Sequence, residues 1–92
     1  MFSTKIAPNN RRQTYRVAVV VSRKVHKSAV ARNRMRRRLY EAVRQVEDDI
    51  AGPYDIVITV FSEALLDEPP KSLAGQVKKQ LTAAGILAKR AR

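Results

Sequence analysis

The chain has no cysteine and a single histidine. Disulfides, thiolate metal sites and thiol redox chemistry are thereby excluded, and so is a His-rich metal centre. Its three glycines, Gly52, Gly75 and Gly85, are scattered, so no glycine-rich phosphate loop can form from neighbours. Aromatic residues make up 5% of the chain, which leaves the core to aliphatic side chains. No apolar run reaches the ~18 residues that a membrane-crossing helix needs. The N-terminus carries no continuous apolar segment of the signal-peptide kind, and a cytoplasmic chain is the default expectation. Acids are scarce: 8 Asp and Glu stand against 19 Lys and Arg, a formal net charge of +11. Such an excess calls for a polyanionic partner, either nucleic acid or an anionic membrane.

A catalytic constellation is missing as well. Asp48-Asp49 and Asp67-Glu68 are adjacent carboxylates. Side chains one apart diverge on a helix, and the second pair lies beside prolines, so both read as surface charge rather than metal ligands. His26 has no second group at readable spacing that would make it a general base; it reads as an RNA-contacting or ordinary loop residue.

What is present is concentrated between Ala31 and Arg38, where five of eight residues are arginine. The stretch is helical by pattern. Met35, Leu39, Ala42, Val43 and Val46 form one apolar stripe, while Asn33, Arg37, Tyr40 and Arg44 collect opposite it. Arg34 and Arg38 lie along one flank and Arg36 along the other, with Arg32 near the edge of the stripe. Arg32–Arg36 and Arg34–Arg38 are like-charge i,i+4 pairs, each costing roughly 0.2–0.5 kcal/mol. Cations in the first turn oppose the helix dipole by a further ~0.3–1 kcal/mol each. Only Glu41 answers them locally. Charges so poorly compensated within the chain point to an outside partner that supplies the negative charge. Tyr40, set among arginines, could stack on a base or ribose, or serve as a half-buried rim residue.

In 92 residues there is room for one domain, residues 1–92, with 88–92 as a basic tail expected to be disordered. Phe2 to Ile6 alternates loosely and could be a strand. Tyr15 to Ser22 contains Val17-Ala18-Val19-Val20-Val21, a run that suits a strand buried on both faces. A basic connection, Arg23, Lys24, His26 and Lys27, leads to Ser28, a candidate N-cap. The helix is expected to end near Glu47 to Ala51, before Gly52-Pro53. Tyr54 to Phe61 reads as a strand and Ser62 to Pro70 as a loop. Leu73, Val77, Leu81 and Ala84 form a second helical stripe, with Gly85 where a C-terminal glycine cap belongs. The order is β-β-α-β-α, an α+β two-layer sandwich with two helices on one face of a sheet.

The segments Val17-Ala18-Val19-Val20-Val21-Ser22-Arg23-Lys24-Val25 and Ala31-Arg32-Asn33-Arg34-Met35-Arg36-Arg37-Arg38-Leu39 resemble the protein component of bacterial ribonuclease P. That family carries a hydrophobic strand ending in Ser-Lys/Arg-Lys/Arg-Val, then a helix with Arg-Asn-Arg followed by basic residues. The two motifs occur here in that order with a matching gap, and the coarse likeness extends through Tyr54-Asp55-Ile56-Val57 to the last helix.

The resemblance implies the fold of ribosomal protein S5 domain 2, with a left-handed βαβ crossover that general chain-handedness rules would not propose. It implies binding to the ribonuclease P catalytic RNA and to precursor tRNA, whose 5′ leader is removed by the RNA subunit with magnesium ions. No cofactor is then expected on the protein alone, and neither membrane nor DNA is an expected partner. The family's RNA contacts carry over to Arg23, Lys24, Arg32, Asn33, Arg34, Arg36, Arg37 and Arg38; Lys27 and Arg44 join the candidate RNA-binding set on their position and charge. Family members begin with an aromatic-bearing helix that faces the sheet and forms a cleft for the leader. Here that helix is expected to be missing, with Phe2 packing in the core. The alternative is a ribosomal or other structured-RNA-binding protein without enzymatic association. A DNA-binding module is a third reading, disfavoured because neither a heptad zipper nor a helix-turn-helix partner accompanies the arginine helix.

Overall fold

A computed structural model describes residues 1–11, 13–50 and 52–87. The expected order is observed. Strand β1 (Phe2–Pro8) is followed by β2 (Arg16–Val21), helix α1 (Ala29–Arg44), β3 (Tyr54–Val60) and helix α2 (Pro70–Ala83). The three strands form one sheet in the order β1-β3-β2. β3 is central: it pairs antiparallel with β1, Thr4 opposite Ile58, and parallel with β2, Val19 opposite Ile58. A parallel neighbour cannot be reached by a tight turn, so the chain must cross over, and α1 is that crossover.

Strand residues alternate in facing. Phe2, Val19, Val21, Ile56, Ile58 and Val60 are buried on one face with Met35, Leu39, Val43, Leu73, Val77 and Leu81 from the helices. Phe2 is thus a core residue, 4% exposed. The core is otherwise aliphatic, as the scarcity of aromatics requires.

The other face of the sheet is open. Ala18 and Val20 are exposed there, so the valine run of β2 is not buried on both faces as its composition suggested. The reason is layering: both helices pack on one side, and only every second valine meets them. Val57 and Thr59 of β3 share the exposed face.

Helix ends follow local chemistry. Ser28 caps α1, its Oγ accepting from the Ala31 amide at 3.2 Å. The helix stops at Arg44, short of the expected Glu47 to Ala51, and a separate 3-10 turn occupies Glu47–Asp49. α2 begins with Pro70 in its first turn, where a missing N–H costs nothing. It ends on Gly85 at φ 80°, with Gly85 donating to the Thr82 carbonyl and Ile86 to that of Leu81. This is the double closure of a Schellman cap, and the left-handed residue it requires is the glycine. Leu81 and Ile86 both belong to the core. Segment 62–70, expected as a loop, contains a 3-10 turn over Glu63–Asp67, because Leu65 turns inward and is fully buried. The expected basic tail at 88–92 lies outside the described residues.

Candidate nucleic-acid interface

Helix α1 carries its apolar stripe into the core and leaves the arginines to three different environments. Arg34 and Arg37 are exposed, and no described residue bonds to either guanidinium. Two unpaired, permanently charged forks a turn apart are suited to bidentate phosphate contact.

Arg32 and Arg38 turn back onto the protein. The Arg32 guanidinium donates to the carbonyls of His26 and Lys27, both at 2.9 Å. It ties the first turn of α1 to the β2–α1 connection and fixes the shape of the loop bearing Arg23, Lys24 and Lys27. Those cations are all exposed, and a backbone turn from Val25 to Ser22 (3.1 Å) supports them. His26 is partly buried in the same loop, its Nδ1 accepting from the Ser28 amide at 3.1 Å. When neutral it therefore carries its proton on Nε2.

The sequence places Arg38 on the same flank as Arg34, away from the apolar stripe, as a candidate RNA contact. Instead it donates to the carbonyls of Leu65 and Leu66, each at 2.6 Å, and to that of Glu68. The Leu65 carbonyl also closes the 3-10 turn by accepting from the Glu68 amide at 3.4 Å; the guanidinium adds a second donor there and serves the carbonyls of Leu66 and Glu68 as well. A groove of about 330 Å³ beside it, between α1 and the start of α2, is lined by Arg37, Arg38, Glu41, Gln45, Pro70 and Leu73.

Arg36 and Asn33 bond to one another along the β2 flank of α1. Arg44, further along that flank, pairs with Glu41 at 3.5 Å with both side chains largely exposed. An exposed pair of this length contributes little, about 0–1 kcal/mol, and is easily exchanged for an external anion.

One residue escaped the reading of the sequence. α1 runs back over β2, so its last turns lie above the strand's first residues. That places Tyr15 and Val17 beside Tyr40, Val43 and Arg44 around a hollow of about 390 Å³. The Tyr15 hydroxyl donates to Glu47 Oε2 at 2.9 Å. Burial, most of all, holds its pKa above the ordinary value near 10; the hydrogen bond and the charge of Glu47 push the same way, while Arg44 opposes them. The pairing of Tyr15 with Tyr40 is legible only once β2 and β3 are known to be parallel neighbours.

Among the described residues no group of His, Asp and Glu is placed to hold a metal ion. Nor is any described helix long and apolar enough to cross a membrane.

A family model described as Ribonuclease P matches residues 2–85. The Ribonuclease P protein component of Synechococcus elongatus is 39% identical over 72 residues, 78% of this chain and 59% of that protein. That of Chloroflexus aurantiacus is 40% identical over 77 residues, 84% of this chain and 56% of that protein. The chain thus spans less than two thirds of the length of these relatives. Among solved structures, the RNase P protein of Staphylococcus aureus superposes with a TM-score of 0.75 at 21% identity, covering 94% of this chain and 76% of that one. The RNase P protein of Thermotoga maritima gives 0.76 at 21% identity, covering 89% and 76%. The likeness to these structures extends to the three-stranded sheet and both helices.

Proposed function

Because the chain belongs to the ribonuclease P protein family, we propose that it is the protein subunit of ribonuclease P. In this reading it binds the catalytic RNA of the enzyme and assists removal of the 5′ leader from precursor tRNA in the cytoplasm. The observation that carries the reading is the unpaired cationic surface made by Arg34 and Arg37 of α1 with Arg23, Lys24 and Lys27 of the adjoining loop. Phosphate neutralisation by these side chains supplies affinity through counterion release. The A-form geometry of folded RNA, presented to a helix and a loop held rigid by Arg32, supplies selectivity.

The reaction itself is assigned to the RNA. The described side chains offer a basic surface rather than paired acids and bases, and magnesium ions belong with the RNA's phosphates. Arg32, Asn33, Arg36 and Arg38 then act mainly by shaping the contact surface, through the bonds they make within the protein. The left-handed sense of the β2–α1–β3 crossover, as in ribosomal protein S5 domain 2, is part of the same proposal. So is the use of the open sheet face, with Val20, Val57 and Thr59, as the wall along which the precursor leader lies.

The test is capture of the tagged full chain from its own cells, with sequencing of the bound RNA. Ribonuclease P RNA and tRNA precursors should dominate. The purified protein alone should leave precursor tRNA intact at every magnesium concentration, and protein added to the RNA should lower the magnesium needed for cleavage. Recovery of ribosomal RNA alone, or leader removal by RNA-free protein, overturns the assignment.

A further inference from the structure

We infer that the hollow between the C-terminal half of α1 and the start of β2 is a nucleobase subsite, in which one unpaired base of an RNA strand stacks on Tyr40. The inference rests on the RNA-binding reading above and adds a site to it.

The observations converge on this hollow from its floor, walls and rim. Its floor is apolar, made by Val17 and Val43, and its volume of about 390 Å³ is within the roughly 300–1,000 Å³ of small-ligand sites. One wall is the Tyr15 ring, partly buried against the core and pinned through its hydroxyl to Glu47. The other is Tyr40, 43% exposed, whose hydroxyl bonds to no described residue. A rigid aromatic wall facing an adjustable one, over an apolar floor, suits a flat ring with two π-faces.

The rim is cationic. Arg44 borders the hollow with only its long pair to Glu41. Arg36 precedes Tyr40 by four residues and Arg44 follows it by four, about 6 Å of helix rise each way, so α1 carries a cationic residue on either side of Tyr40. Phosphates on either side of a stacked base would meet these groups. Of the two carboxylates close by, that of Glu47 is turned to the Tyr15 hydroxyl and that of Glu41 makes only the long, exposed pair with Arg44. Such a rim attracts a polyanion, and among polyanions only a nucleic acid brings a planar ring with each charge. Bases inside a duplex are already stacked on one another and cannot enter, so the subsite recognises a loop, bulge or single-stranded end. Apart from the Tyr40 hydroxyl and Arg44 it offers few groups to read a base edge, so it detects an unpaired base more than its identity.

The test uses the full chain, a single-stranded RNA octamer of mixed sequence and an abasic ribose-phosphate octamer. The protein has no tryptophan, so tyrosine emission is directly observable. The RNA octamer should quench it in the wild type. Tyr40→Phe should bind within about twofold of wild type but lose most of the quench, because the ring stacks and no longer emits. Tyr40→Leu and Tyr40→Ala should weaken octamer binding roughly 5- to 150-fold, the range for loss of one base–aromatic stack. The salt slope should not change, since no ion contact is removed. On the abasic octamer all four proteins should bind alike. Circular dichroism checks the fold of each variant, and Tyr40→Leu keeps the apolar bulk should Tyr40→Ala unfold. Equal octamer affinity for wild type and Tyr40→Leu overturns the subsite while leaving RNA binding intact. So does Tyr40-dependent binding of polyglutamate with no quench by the octamer, which would mark a site for an acidic protein. Failure of the wild type to bind either the octamer or ribonuclease P RNA overturns the functional proposal, and the subsite with it.

Discussion

The Arg38 guanidinium donates to the carbonyl oxygen of Leu65 at 2.6 Å, across 27 residues of chain. With its bonds to Leu66 and Glu68 it makes the last arginine of the basic cluster a brace for the 3-10 turn that precedes α2. The cluster is therefore two populations: arginines that hold the protein and arginines that face out.

The brace gives a first expected outcome. Arg38→Ala should destabilise the fold by about 1.5–3 kcal/mol, the usual worth of hydrogen bonds that involve a charged group. For a domain of this size each kcal/mol lowers the melting temperature by roughly 4–8 °C. Arg38→Lys should restore little, because an ammonium lacks the planar fork that spans several carbonyls. RNA affinity, corrected for folded fraction, should stay close to wild type. Thermal denaturation followed by circular dichroism and filter binding measure both, and a stable Arg38→Ala protein with weakened RNA binding would reverse the assignment.

Arg37→Ala should behave in the opposite way. It relieves repulsion with Arg34 and loses attraction to Glu41, so stability should move by no more than about 0.5 kcal/mol in either direction. RNA affinity should fall by roughly 1–3 kcal/mol, and the log–log salt slope should shrink by about one. A slope near zero already in the wild type would mean that the basic face is not the contact surface.

Leu39 is fully buried on the same helix. Leu39→Ala should cost roughly 2–5 kcal/mol through lost transfer energy and the cavity left behind. Its effect on RNA binding should track the loss of folded protein and nothing else. Denaturant titration alongside filter binding separates the two. Residual affinity that falls further than the folded fraction would put Leu39 at the interface.

These contrasts show how far the residues alone could be read. The Ser28 cap, the Met35–Leu39–Val43 stripe and the Gly85 terminator were legible because each is decided within a turn or two of the chain. The Arg38 brace was not, since its partners lie in a 3-10 turn that the polar, proline-flanked segment 62–70 hides until Leu65 is seen to be buried. Nor was the outward face of β2 legible: in Val17 to Val21 every side chain is apolar or small, so composition carries no parity. Only the one-sided layering of the helices shows that Val20 faces out. The helix end was overestimated because Val46 continues the apolar stripe although the backbone has already left the helix at Arg44.

Tyr15 supplies the last expected outcome, a dependence on alkaline pH. Its hydroxyl is held protonated by burial first, then by the hydrogen bond and charge of Glu47, with Arg44 opposing. A pKa raised in the folded state means that the folded protein keeps this proton where the unfolded chain has released it. The stabilisation is therefore fully present below the unfolded value near 10 and is lost as pH rises through the folded one. Tyr15→Phe removes both the proton and the bond to Glu47. At pH 8 the variant should be less stable than wild type by about 0.5–1.5 kcal/mol, the net worth of one such bond. As pH rises past 10 the gap should narrow, because only the wild type must release this proton against Glu47. Urea titrations of both proteins at a series of pH values between 8 and 11 read the difference directly, and the other tyrosines and the lysines cancel between the pair. A gap that widens with pH would show that the Tyr15 hydroxyl is not bound to Glu47, and would take the rigid wall of the Tyr40 hollow away with it.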